Sequence, residues 1–165
     1  MSTVLVEERP TKRARTLVPF RTKRPIDKKI ISVLKSNVST TQEETVLLTA
    51  TFPCTITGLR WSLGQTQDGG TGQNKIDWAI VITRDGVSAD TLTSADGDDF
   101  YTPEENVLVF GQGMISGSNQ CNHWDGTTKT MRKLMGGDKI AFEVRGNSAT
   151  NTAQVEGMIQ FFCKT

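Results

Sequence analysis

The sequence predicts an all-β chain: a single jelly-roll β-sandwich of about eight antiparallel strands over residues 30–165, behind a disordered basic arm over residues 1–29. Three observations predict it. From Ile30 onward apolar residues recur with a period of two, the pattern of half-buried strands. Runs rich in Gly, Asn, Asp and Thr separate these stretches, and no run of helix formers is long enough to compete. Charge divides at the same place. Residues 1–29 carry nine Lys/Arg against Glu7, Glu8 and Asp27, a balance of +6, while the remainder carries ten against fifteen, a balance of −5; the whole chain is +1.

The arm comes first. Pro10, Pro19 and Pro25 and the clusters Lys12-Arg13-Ala14-Arg15 and Arg21-Thr22-Lys23-Arg24 leave too little apolar surface to offset the entropy of ordering it. The cluster at 12–15 also matches the loose pattern of a nuclear-import signal. A first strand is expected at 30–35. At 46–52, Val46, Leu48, Ala50 and Phe52 alternate with Leu47, Thr49 and Thr51 until Pro53 breaks the run. At 54–63, Leu59, Trp61 and Leu63 are expected on one face. The stretch 65–74, QTQDGGTGQN, reads as turn chemistry. Ile76, Trp78, Ile80 and Ile82 then alternate with Asp77, Ala79, Val81 and Thr83, the clearest strand signal in the chain, which ends at Asp85-Gly86.

Further strands are expected at 106–110, 127–133, 139–145 with Ile140, Phe142 and Val144 inward, and 154–163. In the last, Val155, Ile159, Phe161 and Cys163 share a face and Gly157 suggests a bulge. That gives about eight strands, the count of a jelly roll, with long loops at 64–74, 85–106 and 111–126.

Cys54, Cys121 and Cys163 are an odd number at wide spacings, which fits neither a disulfide framework nor a CxxC metal site. The order of charge and apolar residues near Met1 does not suit a secretory signal, and no apolar run has the length of a membrane span. The expectation is a soluble, non-secreted protein with no cofactor.

The arm is the leading candidate site. Arg9, Lys12, Arg13, Arg15, Arg21, Lys23, Arg24, Lys28 and Lys29 supply charge density and reach, which is all that neutralising phosphates requires. Phe20 is its one ring, so it reads as a charge neutraliser more than a base reader. Asp96, Asp98 and Asp99, with Asp85 and Asp90, offer oxygen ligands of the kind calcium takes but lack the twelve-residue loop pattern; a solvated turn is the plainer reading. Cys121-Asn122-His123 brings a thiol near the single imidazole, too few ligands for zinc and no assurance of alignment for catalysis. One histidine argues against a cupin-type metal enzyme. Glu143 and Glu156 are the carboxylates a glycosidase reading would use, although nothing around them singles them out. Trp61 and Trp78 read as core, and Trp124 as either a partner anchor or a local packing group.

Five segments together carry a resemblance: the basic arm, Asp77-Trp78-Ala79-Ile80-Val81-Ile82, Glu105-Asn106-Val107-Leu108-Val109-Phe110-Gly111, Arg132-Lys133-Leu134-Met135-Gly136-Gly137-Asp138-Lys139-Ile140, and Gly157-Met158-Ile159-Gln160-Phe161-Phe162-Cys163-Lys164. In these the chain resembles capsid proteins of small circular Rep-encoding single-stranded DNA viruses, and in outline the coat of satellite tobacco necrosis virus. The resemblance implies a non-enzymatic shell subunit. Its partners would be some 60 copies of itself in a T=1 icosahedral shell and viral single-stranded DNA inside, with no membrane, and it would reside in the virion and, during assembly, the host nucleus. The chain is shorter than circovirus coats and its arm sparser. A cellular, lectin-like β-sandwich with a basic targeting tail is the alternative reading of the same residues.

Overall fold

The structure, a computed structural model, describes residues 27–68, 73–87, 106–116, 121–146 and 152–165. Among them run eight strands: β1 (Asp27–Val38), β2 (Glu43–Thr49), β3 (Cys54–Asp68), β4 (Gln73–Thr83), β5 (Val107–Ser116), β6 (Cys121–Leu134), β7 (Lys139–Gly146) and β8 (Thr152–Lys164). They form two four-stranded antiparallel sheets of order β1-β8-β3-β6 and β2-β7-β4-β5. Only the β4–β5 connection stays within a sheet; the other six cross between sheets, which is the wrapping of a jelly roll.

The core lies where the two inner faces meet. Leu34, Ile56, Leu59, Leu63, Ile159 and Phe161 from one sheet pack on Ile76, Trp78, Ile80, Ile140, Phe142 and Val144 from the other, all buried. Removing each such side chain from water contributes about 1.5–3 kcal/mol. Strands β4 and β7 are covered on their second face too: Ala79, Val81 and Ala141 form a small cluster with Val107, and Glu143 beside them is fully buried. This explains the nearly unbroken apolar run at 78–82.

Several expectations need correction. The first strand starts at Asp27, three residues early, so Lys28 and Lys29 belong to the sheet. A bulge between Val46 and Leu48 reverses the facing of β2, so Val46 pairs outward with Ala141 while Leu48 pairs with the inward Ile140. The predicted common face of Val46, Leu48, Ala50 and Phe52 is therefore broken, and Phe52 is exposed. The expected loops at 64–74 and 111–126 are largely strand: β3 runs to Asp68 because both β6 and β8 pair with it, and β5 and β6 extend to Ser116 and from Cys121. Gly157 is not a bulge. The β8 register runs through it unbroken, and a Cβ there would overlap the Ser62 carbonyl.

The 111–116 stretch reads as loop because Gly111-Gln112-Gly113 looks like turn chemistry. In the fold these glycines are spaces for indoles. A Cβ at Gly111 would enter the Trp78 ring, one at Gly113 the Trp124 ring, and one at Gly126 the Trp61 ring. Trp78 in turn stacks on Phe142 at 5.9 Å and meets Trp124 at 6.0 Å, so the glycines set the depth of an aromatic cluster.

The sheets are joined along both long edges by side chains that bond edge-strand carbonyls. Ser32 Oγ donates to Leu47 O at 2.7 Å across β1 and β2. Asn122 Nδ2 donates to Met114 O at 2.9 Å and Trp124 Nε1 to Gln112 O at 3.2 Å across β5 and β6. One end of the sandwich is tied by Asp138, only 3% exposed. Its carboxylate accepts from Arg84 Nη1 at 2.7 Å, from Met135 N at 2.8 Å and from Asp85 N at 3.1 Å. Its carbonyl accepts from Ala50 N at 2.8 Å, and Gly137 N donates back to Ala50 O at 2.8 Å. Gly137 sits at φ 96°, a left-handed conformation that favours glycine. Burial alone would raise the Asp138 carboxyl, but the Met135 N–H, the Arg84 guanidinium and the Asp85 N–H together hold it below the ordinary aspartate value.

Two outcomes are expected. Asp138→Ala should lower the unfolding free energy by about 3 kcal/mol in urea melts, since it strands several donors and a cation. Because the folded carboxyl titrates below the unfolded one, its contribution is complete above about pH 4 and drains away as the pH falls through the lowered value; Asp138→Asn should flatten that part of the stability profile. Separately, Gly113→Ala should cost about 1–3 kcal/mol by overpacking and should change the tryptophan fluorescence of the native state.

Candidate nucleic-acid interface

Seven of the nine basic residues expected to hold nucleic acid, Arg9, Lys12, Arg13, Arg15, Arg21, Lys23 and Arg24, lie outside the described residues. The other two are fixed on β1. Lys28 pairs with Cys163 and Lys29 with Phe162 of β8, so the arm leaves the sandwich at a corner of the β1-β8-β3-β6 sheet. Lys28 Nζ lies 5.1 Å from the Phe52 ring centroid, a cation–π contact at an exposed site.

The corner has cations that sequence reasoning did not group. Strand register puts Lys29 and Lys35 of β1, Arg60 of β3, Lys129 and Lys133 of β6 and Lys164 of β8 on the outer face of this sheet. Among side chains described there, Asp125 and Glu156 are the acids, and Glu156 Oε1 is 3.2 Å from Lys35 Nζ. Among the described side chains the outer face of the other sheet carries both signs: Lys75, Lys139 and Arg145 stand with Glu44, Asp77 and the buried Glu143. The signal was present as period-two alternation in β6, where odd-numbered positions are exposed and include Lys129 and Lys133. It becomes a shared face only once β6, β3, β8 and β1 are known to be neighbours.

The other candidates separate. Cys121 and His123 are exposed on the outer face of β6, while Asn122 between them turns inward to Gln65 Oε1 at 3.3 Å. His123 Nε2 is 3.9 Å from Asp125 Oδ1, and no group of three or more metal-ligating side chains forms among the described residues. Asp90, Asp96, Asp98 and Asp99 lie outside them; Asp85 is exposed. Glu143 and Glu156 sit on outer faces of opposite sheets, so they do not face each other across a cleft as paired glycosidase carboxylates must. Trp124 is a packing group, held against Trp78 and the β5 backbone. No helix among the described residues is long and apolar enough to cross a membrane.

The three thiols are free. Burial pushes Cys163 up to about 11, with Cys54 adding to it and Lys28 opposing, and burial likewise raises Cys54.

No family model matches the chain, and no curated protein is significantly similar to it. Solved structures are. A Desmodium yellow mottle tymovirus structure is 11% identical over 87% of this chain and 91% of its own, with a TM-score of 0.35. The 60-mer BFDV capsid protein is 9% identical over 88% and 95%, with a TM-score of 0.39. A pentameric capsid protein from metagenomic phage sequences is 18% identical over 79% and 60%, with a TM-score of 0.29. These superpositions are loose and the identities low, so the fold is defined by this chain's own strand order.

In the folded protein at pH 8 a thiol-specific chromogenic reagent should titrate Cys121 quickly and leave Cys163 unreacted, with all three thiols appearing after denaturation. Mass mapping of the labelled peptide checks the assignment.

Proposed function

We infer that the chain is a viral capsid protein: a jelly-roll subunit that assembles with copies of itself into a small icosahedral shell and holds single-stranded DNA within through its basic N-terminal arm. The observation that carries this reading is the jelly-roll strand order with a basic arm entering at the first residue of β1. Jelly rolls serve as capsid and lectin domains and as cupins. A chain with one histidine has no cupin metal set, and a dense basic arm gives a lectin no advantage. A shell needs both parts, a rigid tile and an inward polycation. The resemblance of the five sequence segments to coats of Rep-encoding viruses points the same way and supplies the choice of DNA over RNA, which electrostatics alone does not make.

Closed symmetry multiplies the arm. With 60 copies an arm of +6 brings roughly 360 positive charges into one interior, enough to meet a few hundred phosphates and to leave the rest to small counterions. The acidic balance of the body suits an exterior kept soluble by net charge. The cluster Lys12-Arg13-Ala14-Arg15 fits entry into a host nucleus before assembly.

Light scattering with inline absorbance, before and after nuclease, tests this reading. Full-length protein should form megadalton particles with nuclease-protected absorbance at 260 nm. Removing residues 1–26, which spares the β1 pairing, should leave the body folded and empty it of nucleic acid. A monodisperse species of ~18–60 kDa free of nucleic acid across salt and pH would instead favour the lectin-like alternative.

A further inference from the structure

We propose that the outer face of the β1-β8-β3-β6 sheet is itself a single-stranded nucleic-acid track, with Phe162 as a base-stacking platform and Lys29, Arg60 and Lys129 as the phosphate contacts around it. This deepens the capsid reading and rests on it for the nature of the cargo.

The register lays the face out in rows across the four strands. One row runs Lys29, Phe162, Gly58, Lys129; the next runs Ile31, Gln160, Arg60, Thr127; a third runs Val33, Met158, Ser62, Asp125. At the arm's end Lys164 and Lys133 flank Thr55. An aromatic residue thus stands between two lysines in one row, with an arginine in the row beside it. Phe162 is 37% exposed, and its ring carbon lies 3.7 Å from the position a Cβ would take at Gly58. The missing side chain at Gly58 lets the ring lie close against the sheet, with Gly58 buried beneath it.

Two adjoining grooves mark the same place. One, of about 620 Å³, is lined by Arg60, Ser62, His123, Asp125, Thr127 and Phe162. The other, of about 290 Å³, shares Arg60 and Ser62 and continues to Met158 and Gln160. Arg60 stands at both. The surroundings are apolar, with Ile31 52% and Met158 40% exposed.

The occupant follows from charge and position. Among the side chains described on this face, six cations outnumber two acids and favour a polyanion, while those described on the opposite outer face carry the two signs in equal number. The track begins at the corner where the arm departs, so a strand gathered by the arm is delivered onto it. An exposed ring among cations suits unpaired bases, whose faces are free to stack, and not a duplex, whose bases are already stacked.

The test uses the full chain, stripped of nucleic acid at high salt and mixed with fluorescent oligo(dT) of ~20 nucleotides or a hairpin duplex of equal charge. Phe162→Ala should weaken oligo(dT) binding by about 5- to 100-fold and leave duplex binding unchanged, and Phe162→Tyr should restore it. Arg60→Gln with Lys129→Gln should lower the slope of log affinity against log salt by about 1.4 for the single strand. Lys139→Gln, on the other outer face, should change neither. Oligo(dT) affinities of the Phe162 and Arg60/Lys129 variants equal to wild type, with binding lost only on removing residues 1–26, would overturn the proposal while leaving the shell intact. Loss of particle mass in Phe162→Ala at unchanged oligo(dT) affinity would also overturn it, marking the face as a contact between copies. Absence of particles with the stacking effect preserved would sink the shell reading and leave the track standing.

Discussion

The fold depends on a buried carboxylate where the chain changes sheets. Asp138 closes the connection from β6 in one sheet to β7 in the other, and its oxygens and carbonyl reach the end of β4 and the corner after β2. A jelly roll is mostly sheet changes, and each one breaks a ladder and leaves backbone groups that a core cannot satisfy. Here one side chain satisfies several of them at a place where Gly137 must take a left-handed conformation to let the chain through. The arrangement is electrostatically strong because Asp138 is dry while its partner Arg84 remains half in water, so the guanidinium is not fully desolvated.

With that end tied, the rest of the sandwich closes by packing. Small residues and large rings are used as complements: Trp61, Trp78 and Trp124 each occupy the space of an absent side chain at Gly126, Gly111 and Gly113. This shows why part of the fold was legible in the sequence and part was not. Period-two runs such as Ile76 to Ile82 and Ile140 to Val144 announced their strands because inward and outward residues differ in polarity. Strands rich in Gly, Gln, Thr and Asn, such as β5 and the ends of β3 and β6, did not, since their stability comes from neighbours. Gly111 and Gly113 are turn residues by propensity and strand residues by virtue of two tryptophans elsewhere in the chain. The bulge in β2 was hidden for a related reason: Leu47 and Leu48 are both apolar, and composition does not say where the facing reverses.

The candidate site divides along the same line. The charge density of residues 9–29 is a local property and is visible in one dimension. The basic face is not local. Its members come from four strands separated by up to 135 positions, Lys29 to Lys164, and apart from Lys29 none stands out in its own segment. What the sequence treats as a tail and a body meet at β1, whose Lys28 and Lys29 are at once the last residues of the basic run and the first of the sheet.

That junction bears on a problem of selectivity. Counterion release rewards charge density, and a duplex carries more charge per unit length than a single strand, so an arm acting alone gains more from duplex than from single-stranded nucleic acid. A shell relying only on such arms has no physical means of preferring unpaired cargo. Cations of the same face outside the arm add attraction for any polyanion without changing the preference. Phe162 changes it. A ring presented between lysines gains energy only from a base face that is not already stacked, so discrimination rests on one exposed aromatic residue while affinity rests on the cations around it.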